Sequence, residues 1–142
     1  MKQDTKTLTV ERRGATLLIV DDKPQNLRLI SDFLAEQGFE LMLTRSGAQA
    51  LEKIELAMPD LVLLDVTMPN MDGFEVCRRL KSKARTAALP VIFMTALDDT
   101  AHKVEGFRLG AVDYITKPIQ REELLARIQH HLQLYSLQKQ LL

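Results

Sequence analysis

The 142-residue chain has little with which to cross-link or anchor itself: a single cysteine, no net charge, and no apolar run approaching the roughly 18 residues that a membrane span requires. A lone Cys77 cannot close an intramolecular disulfide, which fits a reducing cytosol and predicts a cytoplasmic protein. Nineteen basic residues against nineteen acidic ones leave no bulk positive field, basic tail or stripe for a nucleic-acid backbone. A P-loop, a GxGxxG loop, a helix-turn-helix and the catalytic motifs of a kinase are all missing from the sequence. Residues 1–14 lack the apolar core of a secretory signal, and they read as a flexible leader.

What the chain does have is 46% apolar residues, and a domain of this size buries roughly 68–70% of its unfolded-chain surface. The apolar residues come in two alternating patterns. Thr16-Leu17-Leu18-Ile19-Val20, Leu61-Val62-Leu63-Leu64 and Pro90-Val91-Ile92-Phe93-Met94 are continuous branched runs that suit strands buried on both faces. Phe39–Leu43 and Ala111–Ile115 read as two further strands. Between them lie helical spacings. Leu27, Ile30, Phe33 and Leu34 follow Pro24 on one face, and Gly38 stops that helix. Ser46-Gly-Ala-Gln49 offers a capping box ahead of Ala50, Leu51 and Ile54, while Phe74–Leu80 follows a Pro69–Gly73 loop. Asp98 or Asp99 can cap a helix that Gly110 ends, and a last helix begins near Arg121.

Strict alternation predicts an α/β fold with a five-stranded, parallel, doubly wound sheet and five helices. A closed barrel would need eight such units and about 250 residues. In open sheets of this kind ligands bind beyond the carboxyl ends of the strands. Those ends are polar here: Asp21-Asp22, Asp65, Thr95-Ala96 and Thr116-Lys117-Pro118. Three carboxylates about 4 Å apart would repel by about 4 kcal/mol per pair at an effective dielectric near 20, so the set calls for a cation. Oxygen ligands without cysteine or paired histidine select Mg2+, which leaves positions open for phosphate. A carboxylate beside it can act as nucleophile toward phosphorus.

These motifs, LLIVDD, LVLLDVTMPNMDGFE, VIFMTA and GAVDYITKP, resemble a response-regulator receiver domain of bacterial two-component signalling over about residues 15–134. The resemblance implies strand order 2-1-3-4-5, the flavodoxin-like order. It implies Asp65 as phosphoacceptor, with Mg2+ bound by Asp22, Asp65 and the Thr67 backbone carbonyl, and by Asp21 through a water. Lys117 pairs with the phosphoryl oxygens, Thr95 donates its hydroxyl to them, Tyr114 rotates inward behind Thr95, and small Ala96 leaves the site open. A cis Lys117–Pro118 bond is implied as well, and Thr67 and Leu97 fall at positions that tune phosphoryl lifetime. The implied partner is a sensor histidine kinase or phosphotransfer protein, and the reaction is the domain's own phosphorylation and dephosphorylation, with no separate output enzyme.

An aspartyl-nucleophile phosphatase would want a second Asp where Thr67 stands, and an interaction module independent of phosphorylation would not need the full set of site residues. Three remaining readings concern the periphery. His102, His130 and His131 are read as solvent-exposed, because neighbouring histidines on a helix diverge by about 100°. Met68, Met71 and Met94 are read as packing and Cys77 as a bystander. Arg121–Leu142, free of Gly and Pro, can form one helix of about 33 Å. Leu125, Ile128, Leu132 and Tyr135 make a first stripe on it, and Leu134, Leu137 and Leu141 a second. The portion 135–142 is then an extension that serves as a linker toward an output module of a larger regulator, or as a homodimer seam. The face of helix four, strand five and helix five is the alternative contact surface.

Overall fold

The computed structural model describes residues 14–96 and 100–141. The expected leader, the lifetime position Leu97 and the caps Asp98 and Asp99 lie outside the described residues. Ten elements alternate along the chain: β1 Thr16–Val20, α1 Pro24–Glu36, β2 Glu40–Thr44, α2 Gly47–Leu56, β3 Leu61–Asp65, α3 Gly73–Lys81, β4 Val91–Thr95, α4 Thr100–Arg108, β5 Asp113–Thr116 and α5 Arg121–Leu141. The strands pair in parallel in the order β2-β1-β3-β4-β5. This is the doubly wound, flavodoxin-like order.

Parallel strands flanked by helices must be apolar on both faces, which is why β3 and β4 are buried along their whole length. Alternate residues serve opposite layers. Leu17, Ile19, Leu61, Leu63, Ile92, Met94 and Ile115 pack under α1 and α5 through Leu27, Ile30, Leu34, Leu124 and Ile128. Leu18, Val20, Val62, Leu64, Val91 and Phe93 pack under α2 and α3 through Ala50, Ile54, Val76, Cys77 and Leu80. Met68 and Met94 are buried and Met71 lies against the core, in keeping with packing.

Several boundaries fall one or two residues from those expected, each for a local reason. Phe39 precedes β2 because its N–H still bonds Leu34 O at the end of α1, beyond Gly38 at φ 93°. Ala111 precedes β5 because its N–H bonds Gly106 O. The capping box is half formed: Ser46 Oγ accepts from Gln49 N, but Gln49 Oε1 accepts from Arg45 N, one residue before the cap.

The histidine reading needs correction. His130 is exposed, but His131 is not: its side chain is 12% exposed and its Nε2 lies 2.9 Å from Asp113 Oδ2. Arg127 Nη1 donates to Asp113 Oδ1 at 2.6 Å. The three residues pin the start of β5 to α5. His102 stacks on the Phe74 ring, centroids 6.1 Å apart. The stripe on α5 is also corrected. Leu124 and Ile128 are its buried residues, while Leu125 and Leu132 are only partly buried. Leu134, Leu137 and Leu141 are exposed.

Candidate functional site

The register brings the carboxylates together. Val20 pairs with Leu64 across β1 and β3, so Asp21 and Asp65 emerge side by side where the strand order reverses, and Asp22 follows into the loop. Among the described residues, Asp21, Asp22 and Asp65 are the one acidic or histidine cluster able to hold a metal, with one oxygen of each within 4.8 Å of the others. Asp21 is fully buried and Asp65 is 3% exposed.

Their partners leave the cluster short of positive charge. Asp21 Oδ1 accepts from Lys23 N at 2.9 Å. Lys117 Nζ stands 3.3 Å from Asp21 Oδ2 and 3.4 Å from Asp65 Oδ1. The Thr67 N–H lies 3.4 Å from Asp65 Oδ1. One ammonium therefore serves two of the three carboxylates, Asp21 and Asp65, and Asp22 Oδ1 is buried with no hydrogen-bond partner. Burial, then the Asp21 charge, push the Asp65 carboxyl up from 3.8 to about 6, against the lowering effect of Lys117 and the Thr67 N–H. A divalent cation fits this donor set: the ligands are all oxygen, they carry excess negative charge, and one buried oxygen is unsatisfied.

The other expected residues lie on β4 and β5 and in the turns that follow them. Thr95 is buried at the end of β4, and Ala96 is exposed. Lys117 N donates to Thr95 O at 2.8 Å, and the Lys117–Pro118 bond is cis. Tyr114 is buried, and its hydroxyl donates to His102 O at 2.6 Å. Burial pushes that phenol up to about 12. Cys77 is buried in the α3 layer and its thiol is likewise pushed up, to about 11, so it takes no part.

Two residues near the site went unread in the sequence. Arg45, just past β2, donates from Nη2 to the Asp22 carbonyl at 3.3 Å, and its place at a strand's carboxyl end is the signal that could have found it. Gly73 begins α3 beneath Asp65, where a Cβ would collide with the Asp65 carbonyl oxygen and lie 3.0 Å from Val66 Cα. Its N–H donates to Val66 O at 2.8 Å, and Asp72 caps the helix through Glu75 N. The loop is thus folded tightly under the acidic cluster.

Comparison with known proteins agrees with this fold. Residues 17–129 match the response regulator receiver domain family. The chain is 42% identical over 115 residues to the response regulator PleD of Caulobacter vibrioides, covering 81% of this chain and 25% of PleD. It is 39% identical to protein PilH of Pseudomonas aeruginosa, covering 80% of this chain and 94% of PilH. The chain therefore spans about a quarter of the length of one of these relatives and nearly all of the other. The crystal structure of chemotaxis protein CheY4 of Vibrio cholerae superposes with a TM-score of 0.78 at 31% identity, over 82% of this chain and 97% of that one. The chain belongs to the response regulator receiver domain family of two-component systems, whose members are phosphorylated on aspartate. Among the described residues no helix is long and apolar enough to cross a membrane.

Proposed function

We propose that Asp65 is the phosphoacceptor of this receiver, taking a phosphoryl group from the phosphohistidine of a sensor kinase or phosphotransfer protein. The observation that carries this reading is the buried Asp65 carboxyl at the end of β3, 3.4 Å from Lys117 Nζ and clustered with Asp21 and Asp22 in an all-oxygen site. Its carboxylate is the nucleophile. An Asp65 oxygen attacks phosphorus, a P–O bond forms, and the P–N bond to the donor imidazole breaks with its electrons staying on nitrogen.

Mg2+ would be held by Asp22, Asp65 and the Thr67 carbonyl, with Asp21 acting through a water, and would neutralise charge on the transferring oxygens. The chain's own groups do the rest. The Lys117 ammonium meets the phosphoryl oxygens, Thr95 at the neighbouring strand end donates its hydroxyl to them, and small Ala96 keeps the approach open. Tyr114 stands behind as the responsive side chain. The new charge, close to −2, biases the contact surface between two states.

Residues 15–134 form the receiver. The exposed Leu137 and Leu141, with exposed Leu134 just before them, favour a second role for 135–142, as a linker helix of a larger regulator or a homodimer seam, with the α4-β5-α5 face as the other contact surface. The reading places the domain in the cytoplasm with its kinase.

The test is incubation with acetyl phosphate and Mg2+ followed by intact mass. One added phosphoryl group is expected, lost on alkaline treatment and absent in Asp65→Asn. A variant Asp65→Asn that gains the same mass overturns the assignment. Sedimentation with and without beryllofluoride and Mg2+ tests the dimer seam, and equal masses in both states exclude a phosphorylation-controlled dimer.

A further inference from the structure

Of the described side chains of α4, only position 106 is buried, and it is a glycine. The one buried position among them thus has no side chain. The missing volume belongs to Tyr114. A Cβ on Gly106 would overlap the Tyr114 hydroxyl and stand 2.7 Å from Cε2 and 2.8 Å from Cζ.

The backbone does not demand glycine there. Gly38 and Gly110 are the described glycines with positive φ, and Gly106 lies inside a helix where alanine would be the stronger former. What excludes a side chain is the tyrosine ring. The ring cannot move aside freely, because its hydroxyl is bonded to His102 O, one turn earlier on the same helix. It is also held between Phe93, centroids 5.4 Å apart, and Phe107, centroids 5.5 Å apart.

These contacts continue toward the acidic cluster. Phe93 meets Phe74 edge-on at 5.3 Å and 80°, and Phe74, in the first turn of the helix that follows the Asp65 loop, stacks on His102. The aromatic chain Phe74-Phe93-Tyr114-Phe107 therefore leaves the site's supporting loop and ends on the exposed side of α4, where Phe107 is 51% exposed.

We propose that Gly106 is a positioning residue: it is the socket that admits Tyr114 to its buried place, and Tyr114, when seated there, holds α4 on the sheet. The two act as one coupled unit. A methyl group at position 106 drives the tyrosine out and uncouples the helix from the ring, without touching the carboxylates.

The protein has no tryptophan and two tyrosines, so in a Tyr135→Phe background Tyr114 is the sole tyrosine emitter. In that background Gly106→Ala is expected to raise iodide quenching of Tyr114 severalfold and to lower the melting temperature by about 5 °C or more. In a Tyr114→Ala protein, where the clash is gone, the same Gly106→Ala change is expected to leave the melting temperature unchanged or raise it, since helix propensity alone remains. An equal drop in both backgrounds overturns the proposal, because the glycine would then be required by something other than the tyrosine. Unchanged quenching overturns it as well. Should Gly106→Ala fail to fold, Gly106→Ala/Tyr114→Ala is expected to recover folding, and a double variant that stays unfolded also counts against the pair. All these measurements are made without Mg2+ or phosphodonor, so their failure leaves the Asp65 assignment standing.

Discussion

Replacing Asp65 with asparagine is expected to make the metal-free protein more stable at neutral pH. The buried carboxyl is raised from 3.8 to about 6, first by burial and then by the Asp21 charge. At about 1.4 kcal/mol for each pH unit, holding it ionised costs the fold about 3 kcal/mol. The folded state binds this proton more tightly than the unfolded state does. Stability therefore falls as pH rises from about 4 through about 6 and stays low above that. Asparagine, of the same shape and without the charge, removes this penalty, so Asp65→Asn should melt about 10 °C higher at pH 7.5 for a chain of this length. At pH 3.5, where wild-type Asp65 is protonated in the folded state and largely so in the unfolded state, the gap between the two proteins should nearly close. The assay is thermal denaturation by circular dichroism in EDTA from pH 3.5 to 8. An Asp65→Asn protein that melts at or below wild type at pH 7.5 would show that Lys117 already compensates the site, and the reasoning would fail. Adding Mg2+ should narrow the gap by stabilising wild type through binding.

Lys117→Met strips the ammonium from between Asp21 and Asp65 and is expected to lose about 1–3 kcal/mol, along with most phosphorylation by acetyl phosphate, read by intact mass. Gly73→Ala forces a Cβ against the Asp65 carbonyl and should cost about 1–3 kcal/mol in urea denaturation while slowing phosphorylation. Arg45→Ala, which frees the Asp22 carbonyl, is a milder change at the rim and should leave stability within about 0.5 kcal/mol. For Asp113, burial raises its carboxyl, but hydrogen bonds from Arg127, His131 and the Tyr114 N–H outweigh that and hold it below the usual range. Its contribution is present above about pH 4 and lost as pH falls through its lowered value. Asp113→Asn should thus cost about 1–2 kcal/mol at pH 7 and progressively less as the pH is lowered below about 4 in a matched denaturation series.

The strands were legible because a parallel sheet buried on both faces needs continuous apolar runs, and LLIV, LVLL and VIFM supply them. The acidic cluster was legible for the same reason: a charged residue that breaks such a run must lie at a strand end, and parallel strands put all those ends on one edge. Contacts fixed by tertiary geometry left no such mark. His131 and Asp113 are 18 residues apart, and no period links them. Leu124 rather than Leu125 turned out to be buried because the rotation of α5 about its axis is set by packing on β5 and β3, which a heptad count along the helix does not contain. Gly106 carries no mark of its role in the sequence, and only the position of Tyr114 gives it a purpose.

One consequence of the alternating strand faces concerns the residue that ends β3. Leu63 touches the layer of α1 and α5, and Leu64 touches the layer of α2 and α3, so a single residue step along β3 changes which side of the molecule is addressed. Asp65 terminates that strand. Any displacement of its backbone is delivered to close-packed neighbours on both faces at once, so a charge added at the sheet's edge pushes on both helical layers simultaneously. Paired probes at positions 63 and 64 would read the two responses separately.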